Sequence, residues 1–314
     1  MPSQTDVVTG AYGYIGKYIA RRLLDSGRKV RTITTHPDKE NPFGDAVRAF
    51  PFHFDSPALL TENLRGARTL YNTYWVRFEY GGATFERAVE NTKTLFRCAR
   101  SAGIEKIVHI SVTNVSTMSR LPYYRGKALQ EEALVESSLP YSIVRPTLVF
   151  GKEDILVNNI AWMLRRFPLF PIFGTGEYRV QPVFVEDLAS IAVTSAVEES
   201  SRTLDAIGPE TFSFKELVEL MASAVGRNVK FVHVSPSLGI LLGRVIGWFV
   251  RDVILTRDEL SGLMDSLLCS QERPNGRTKF SDWTALNAHG LGTSYSSELG
   301  RHFRWRKKES RLGA

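Results

Sequence analysis

The sequence contains little cysteine and no residue spacing typical of a metal site. Its two cysteines, Cys98 and Cys269, lie far apart, and neither belongs to a CxxC pair. The six histidines also show no ligand spacing. This scarcity predicts neither a disulfide framework nor a bound metal, and it is typical of a chain in a reducing, cytoplasmic compartment.

The chain also lacks a long uninterrupted apolar run, a low-complexity block and an internal repeat. Its most apolar stretch, residues 238–255, is interrupted by Arg244, Arg251 and Asp252, whereas a bilayer span needs about 20 mostly apolar residues. We therefore expect a buried or surface-lying helix there. A strand is predicted within the first ten residues, so we expect no signal peptide and a cytoplasmic location.

The net charge of +7 is concentrated at one end of the chain. The last 14 residues, 301–314, hold six basic residues and one Glu, which leaves a net charge of only +2 for the rest. We therefore expect no nucleic-acid binding, which requires a basic face and a recognition motif. The basic tail and the apolar segment 238–255 are compatible with a peripheral membrane contact, and a solvated terminus is the alternative.

Three glycines mark the junction between the first strand and the first helix. Gly10, Gly13 and Gly16 form G-x-x-G-x-x-G between the strand DVVT and a helix with apolar residues at helical spacing. In dinucleotide-binding folds such glycines allow a tight turn, a close approach to pyrophosphate, and close packing of the helix on the sheet. The helix N-terminus adds free N–H groups and a favourable dipole. The motif predicts a bound dinucleotide.

Predicted strands and helices alternate up to Gly151, which predicts an α/β fold of Rossmann type, a doubly wound parallel sheet. We expect a dinucleotide-binding domain over 1–151 with a return segment over 178–207. We expect a smaller cap over 152–177 and 208–300, followed by the basic tail, 301–314. Since ligands bind beyond the carboxyl ends of parallel strands, the candidate cofactor contacts are Gly10, Tyr12, Gly13, Tyr14, Ile15, Gly16, Thr35, His36, Asp55, Asn72, Thr73 and Pro146.

A tyrosine pair and a lysine open the helix that follows the strand KIVHISVTN. Tyr123 and Lys127 are four residues apart and share a helix face, while Tyr124 is three residues before the lysine. A phenol with a pKa of about 10 is a poor base at neutral pH, and a nearby ammonium stabilises its ionised form. The spacing alone permits either an acid/base pair or an ordinary surface helix.

The order of these motifs resembles the short-chain dehydrogenase/reductase superfamily, in its extended and atypical branches. The resemblance rests on the glycine motif, Asp55, Tyr123-x-x-x-Lys127 and RPTLVFG (145–151), and it covers about residues 5–225. More narrowly, PYYRGK and IVRPTLVFGKED are similar to the branch that contains the accessory NADPH-binding subunit of respiratory complex I. That branch also contains related bacterial NAD(P)-binding epimerase/dehydratase-like proteins.

The resemblance implies an NAD(P)(H)-dependent oxidoreductase that moves a hydride to or from a carbonyl or alcohol of an unidentified small molecule. It implies Tyr123 as the acid/base and Lys127 as its electrostatic partner and ribose ligand. It also implies a substrate-polarising hydroxyl from Thr113 or Ser111, with Thr113 favoured by its place at the strand end. The alternatives are a non-catalytic NADPH-binding structural or sensor subunit and, less favoured, a sugar-nucleotide epimerase or dehydratase.

Two departures from the superfamily pattern leave alternatives open. The strand that begins near Arg68 runs into Tyr74 and Trp75 instead of small residues, and these rings either line the site or pack away from it. The second strand ends at Thr35 and His36, without the carboxylate that favours NAD or the arginine that favours NADP. Because no carboxylate repels a phosphate there, we expect a slight preference for NADP(H).

Overall fold

The structure is a computed structural model, and it describes residues 5–303 of the 314. Residues 304–314, which form most of the predicted basic tail, lie outside the described residues. The strands are β1 (Thr5–Thr9), β2 (Lys29–Thr34), β3 (Val47–Pro51), β4 (Thr69–Asn72), β5 (Lys106–Ile110), β6 (Tyr141–Pro146), β7 (Leu148–Phe150), β8 (Leu169–Phe173), β9 (Arg179–Val180), β10 (Pro182–Phe184), β11 (Arg202–Ala206), β12 (Phe212–Ser213) and β13 (Lys230–Val234).

The helices lie mostly between these strands. They are α1 (Tyr14–Asp25), α2 (Pro57–Leu64), α3 (Phe85–Ser101), α4 (Pro122–Glu136), α5 (Ile155–Arg166), α6 (Val185–Ser195), α7 (Phe214–Ala224), α8 (Pro236–Val250), α9 (Arg257–Met264), α10 (Phe280–Asn287) and α11 (Glu298–His302).

Seven parallel strands form one sheet in the order β11-β6-β5-β4-β1-β2-β3. The chain builds the sheet outward from β1 in both directions, because β2 pairs with one edge of β1 and β4 with the other. This confirms the predicted doubly wound, Rossmann-type sheet. In such sheets the ligand crevice lies beyond the carboxyl end of the strand where the order reverses, which here is β1.

Helices cover both faces of the sheet, because its strands are apolar on both sides. One face packs against α1 and α6 through residues such as Ile19, Leu23 and Leu188. The other face packs against α2, α3 and α4 through residues such as Leu60, Phe96 and Leu134. The two layers of helices hold β1 and the loop that follows it in a fixed position.

The remaining elements form a cap with its own apolar cluster around Phe150, Met221 and Trp283. Within the segment expected to return to the nucleotide domain, β10 pairs with β7, α6 packs on α1, and β11 pairs with β6 at the edge of the large sheet. The cap meets the sheet near the carboxyl end of β5, where the Thr113 hydroxyl donates to the Leu267 carbonyl.

Helix α8 ends at Val250, so it covers most of the apolar segment 238–255. Gly239 faces the protein, since a Cβ there would lie 2.3 Å from the Phe173 ring. The opposite face is solvent-exposed and apolar, and includes Leu241, Val245, Trp248 and Phe249. Among residues 5–303, no helix is long and apolar enough to cross a membrane. The peripheral membrane contact expected for this segment stays a prediction.

Candidate nucleotide-binding and active site

The loop after β1 has the geometry of a phosphate cradle. It turns at Gly10, whose φ of +64° is a conformation that favours glycine, and the Gly13 N–H closes the turn on the Gly10 carbonyl at 2.8 Å. A Cβ on Gly16 would lie only 2.4 Å from the Gly10 oxygen. Glycine at position 16 therefore lets α1 approach the loop. The free N–H groups at the N-terminus of α1 then face the crevice at β1.

The tyrosines of this loop are anchored by their side chains. Tyr12 is buried and its hydroxyl donates to the Val47 carbonyl at 2.9 Å. Tyr14 places its buried hydroxyl beside Gly151, where a Cβ would lie 2.7 Å away, and burial raises the pKa of this phenol. Ile15 is partly buried. With these side chains directed into the protein, the backbone N–H groups of the loop remain as the contacts for a ligand.

A buried polar network fixes the floor of the crevice across three strands. The Thr9 hydroxyl donates to Asn72 Oδ1 at 3.1 Å, and Asn72 Nδ2 lies 3.0 Å from His109 Nδ1. Thr73 closes the network through bonds to both Thr9 Oγ1 and the Thr9 carbonyl. The Asn72 side chain, predicted as a cofactor contact, thus joins β1 to β5. Thr9 and His109 were not predicted, although polar residues inside apolar strands were a signal.

The other predicted cofactor contacts lie at the ends of separate strands. Thr35 is exposed just after β2, and the His36 Nε2 atom lies 3.2 Å from the His302 carbonyl. Asp55 is exposed in the turn before α2. Pro146 ends β6, and its carbonyl accepts a bond from the Thr113 N–H at 3.1 Å. The first three follow the carboxyl ends of their strands and Pro146 is the last residue of its strand; their roles as ligand contacts stay predictions.

Lys127 lies on α4, and its buried side chain reaches the end of β5. Its ammonium donates to the Ile110 carbonyl at 2.9 Å and lies 4.9 Å from the centre of the Trp75 ring. Only 3% of the residue is exposed. Burial lowers the pKa of this ammonium to about 7, against a smaller opposing effect of Glu131. The lysine is therefore close to its titration point at neutral pH, and the indole of Trp75 covers it.

Tyr123 belongs to an aromatic cluster on the side of α4 that also carries Lys127. Its ring lies 5.9 Å from that of Trp75, 6.1 Å from Phe85 and 5.4 Å from Tyr124. Burial raises the pKa of the Tyr123 phenol to about 12, and Arg77 and Glu259 have smaller, opposing effects. The phenol is therefore protonated at neutral pH. The Trp75 ring contacts both Tyr123 and Lys127 and so links the two predicted catalytic residues.

The two aromatic residues after β4 point in opposite directions. Tyr74 packs against Phe52 and Phe54, with its hydroxyl accepting a bond from Asn91 at 2.8 Å. Trp75 instead packs on α4, so closely that a Cβ at Gly126 would lie 2.6 Å from its ring. The sequence left open whether these two rings line the site or pack away from it. In the structure Tyr74 packs into the core and Trp75 lines the candidate site.

The two hydroxyls proposed to polarise a substrate differ in their partners. Thr113 Oγ1 donates to the Leu267 carbonyl of the cap at 2.9 Å. Ser111 Oγ is buried and has no hydrogen-bond partner among residues 5–303, and neither do Trp75 Nε1 and the Tyr14 hydroxyl. An unpaired buried polar group costs about 1–3 kcal/mol. Two of these groups, Ser111 Oγ and Trp75 Nε1, follow the ends of β5 and β4 and fit a site that a polar ligand completes.

The buried ammonium of Lys127 predicts a distinctive pH dependence of stability. Its pKa is about 7 in the folded protein and 10.5 in its ordinary state, so between these values the unfolded chain binds the extra proton. The free energy of unfolding should then rise with pH in this window, by up to about 1.4 kcal/mol per unit. Urea unfolding at several pH values should show this rise for the native chain and not for Lys127→Met.

A matched control is Lys93→Met, which removes a lysine that is paired with Glu90 on the surface of α3. It should keep the rise, because surface ion pairs change stability by only about 0–1 kcal/mol. Equal pH profiles for the native chain and Lys127→Met would contradict the burial of a titrating ammonium at this position.

A glycine cradle at the switch point and a Tyr-x-x-x-Lys pair with a buried lysine beside it define a Rossmann-type nucleotide-binding protein of the short-chain dehydrogenase/reductase class. Residues 7–205 match the NAD dependent epimerase/dehydratase family. The chain belongs to that family, which confirms the resemblance seen in the sequence.

The chain is similar in sequence to two proteins with different roles. It is 26% identical over 236 residues to subunit 9 of the NADH dehydrogenase [ubiquinone] 1 alpha subcomplex of Arabidopsis thaliana, covering 72% of this chain and 59% of that one. It is 24% identical over 270 residues to the photosystem II assembly factor Ycf39 of Cyanophora paradoxa, covering 81% of each. The chain thus spans about three fifths of the first relative.

Among solved structures, the triphenylmethane reductase of Citrobacter sp., in complex with NADP(H), has a TM-score of 0.71. It is 18% identical in sequence, and the match covers 90% of this chain and 99% of that one. At this level of identity the likeness concerns the fold, and it extends through the cap as well as the sheet.

Proposed function

We propose that this protein binds NAD(P)(H) and transfers a hydride to or from a carbonyl or alcohol substrate. The main support is the buried hydroxyl of Ser111, which has no hydrogen-bond partner among the described residues. Ser111 directly follows Ile110, whose carbonyl accepts a hydrogen bond from Lys127. A hydroxyl in this position lacks a partner that a substrate oxygen would supply. When bound, the nicotinamide supplies or accepts the hydride, and the family and the Citrobacter reductase support that cofactor class.

In this proposal, Tyr123, Ser111 and Lys127 have different roles in the reaction at the substrate oxygen. The Tyr123 phenol gives this oxygen its proton when a carbonyl is reduced, and accepts the proton in the reverse direction. Ser111 Oγ–H donates a hydrogen bond to the same oxygen and stabilises its developing negative charge. Lys127, one helical turn from Tyr123, stabilises the tyrosinate left after proton transfer. Thr113, whose hydroxyl is bonded to the cap, positions the strand end instead.

A second candidate function is a nucleotide-holding subunit without turnover. The Trp75 indole covers Lys127, and burial holds the Tyr123 pKa at about 12, so both groups are shielded in the structure. Two relatives, a subunit of NADH dehydrogenase and a photosystem II assembly factor, also favour this candidate. The third alternative, a sugar-nucleotide epimerase or dehydratase, remains less favoured because it needs a polar groove in the cap, and the cap segment 162–174 is mostly apolar.

The nucleotide that co-purifies with the chain tests these candidates. We expect mass spectrometry to identify NADP(H) or NAD(H), and the absorbance of the reduced form to disappear when a suitable carbonyl compound is added from a chemically diverse panel. Retained nucleotide with unchanged absorbance across the panel would support the holding role. A chain that binds neither nucleotide would overturn both candidates.

A further inference from the structure

The last described residues form a strap over the crevice, which we define as residues 292–303. The first half of the strap is bound to α5, where the Asn159 side chain forms two hydrogen bonds with the Ser296 backbone, at 2.9 and 3.0 Å. Asp252 accepts the N–H groups of Glu298 and Leu299 at 2.7 and 2.9 Å and so anchors the start of α11. The strap is thus fixed to the cap before it reaches the nucleotide domain.

The strap then contacts the loops on both sides of β1. On the β2 side, the His302 carbonyl lies 3.2 Å from His36 Nε2. On the β4 side, the Phe303 ring lies 4.9 Å from that of Tyr80, and Glu298 forms an ion pair with Arg77. Strand β1 lies between β2 and β4 in the sheet. The strap therefore crosses the end of β1, above the glycine loop.

The strap brings a cation to this crossing. The Arg301 guanidinium lies 5.9 Å from the centre of the Tyr14 ring, on the first turn of α1, and the Arg301 carbonyl lies 3.5 Å from Lys39 Nζ. Among residues 5–303, neither Arg301 nor Lys39 has a carboxylate within ion-pair distance. Glu153 and Asp154 lie farther from Arg301, and their negative charges favour its charged form. Two partly buried cations thus flank the place where dinucleotide phosphates lie.

The surrounding charges also favour an anion. The pKa of His302 falls to about 4 because of desolvation and then because of Arg301, Lys39, Arg77 and His36 around it. Burial and the neighbouring Arg301 likewise lower the pKa of Lys39. Cations that destabilise one another are stabilised together by a bound phosphate.

We propose that the strap closes over the bound dinucleotide and that Arg301 is a ligand of its pyrophosphate, with Lys39 at the 2′-phosphate of NADP(H). This proposal rests on the proposed nucleotide binding and adds a phosphate ligand from outside the glycine motif. The assignment follows position. The Arg301 guanidinium packs on Tyr14 in the first turn of α1, where pyrophosphate binds, and Lys39 follows β2, where the adenosine ribose binds.

Dissociation constants of NADPH and NADH, measured by calorimetry, test the proposal without any assay of turnover. Arg301→Met keeps the apolar stem on the Tyr14 ring and removes the charge. We expect it to weaken both nucleotides about 10-fold to 100-fold, as for a lost charge-assisted hydrogen bond, and Arg301→Lys to restore part of the loss. Lys39→Met should weaken NADPH by a similar factor and leave NADH within about threefold.

The matched control is Arg22→Met, an exposed arginine farther along α1, which should leave both constants unchanged. Unchanged or tighter binding by Arg301→Met would overturn the proposal, since tighter binding is the result for a strap that blocks the crevice. If the native chain binds neither nucleotide, the proposed function itself fails, which is a separate outcome.

Hydrogen exchange gives a second readout on the unmodified chain. A strap that closes over the nucleotide should exchange the amides of residues 298–303 more slowly when NADPH is present. Faster exchange of these amides on NADPH binding would show displacement of the strap and would overturn the proposal.

Discussion

Tyr123→Phe is expected to lower the rate of hydride transfer about 100-fold to 10,000-fold, the usual range for a lost general acid. The variant loses one hydroxyl and keeps the ring that packs against Trp75 and Phe85. The dissociation constant of NADPH should therefore stay within about threefold of the native value. Single-turnover measurements of the reduced nicotinamide absorbance and calorimetric titration with NADPH check the two halves of this expectation.

The neighbouring residue supplies the matched control. Tyr124 is the more buried of the two and packs on Gly262 of α9, where a Cβ would lie 3.0 Å from its ring, so Tyr124→Phe should keep the native rate. Full activity of Tyr123→Phe on an identified substrate would show that this phenol is not the acid/base.

The raised pKa of Tyr123 also predicts how the reaction rate depends on pH. Because the pKa is raised to about 12, the phenol is protonated across the neutral range, the form needed to reduce a carbonyl. Carbonyl reduction should be independent of the ionisation of this phenol up to about pH 10, whereas alcohol oxidation should increase about tenfold per pH unit. A reduction rate that falls through neutral pH in step with tyrosine ionisation would contradict the raised pKa.

Gly16→Ala is expected to weaken nucleotide binding more than about 100-fold and to lower the free energy of unfolding by about 1–3 kcal/mol. The added Cβ would lie 2.4 Å from the Gly10 oxygen and 2.8 Å from the Gly10 carbon. These are backbone atoms of the cradle, so α1 or the loop must move to relieve the contact. Calorimetry with NADPH and urea unfolding measure the two effects.

Gly243→Ala is the matched control, because Gly243 is also helical and a Cβ there would meet Leu255 only at 3.9 Å. It should bind NADPH normally and gain up to about 1 kcal/mol from the higher helix propensity of alanine. Native-like binding and stability of Gly16→Ala would mean that the loop and helix need no close approach.

Local sequence patterns were sufficient to predict the sheet. Apolar strands buried on both faces, amphipathic helices between them and a glycine-marked first turn each depend on a few consecutive residues. The structure confirms the resulting doubly wound arrangement, with β2 and β4 on opposite sides of β1. The grouping of Tyr123 with Lys127 followed from one helical turn.

The sequence left the alternatives at the site open for a physical reason. Whether Tyr74 or Trp75 enters the site depends on which side of the strand end each faces, and the packing of α3 and α4 decides that. Whether Ser111 or Thr113 has a free hydroxyl depends on the Leu267 carbonyl of the cap, more than 150 residues further along the chain.

The sequence by itself determined the fold and the place of nucleotide binding, because short-range periodicity and glycine geometry control both. Only the tertiary structure decided what surrounds that place. The indole over Lys127, the network from Thr9 to His109 and the strap that carries Arg301 to α1 all join distant segments. Such contacts depend on how the cap and the sheet pack together, and no local pattern of residues records that packing.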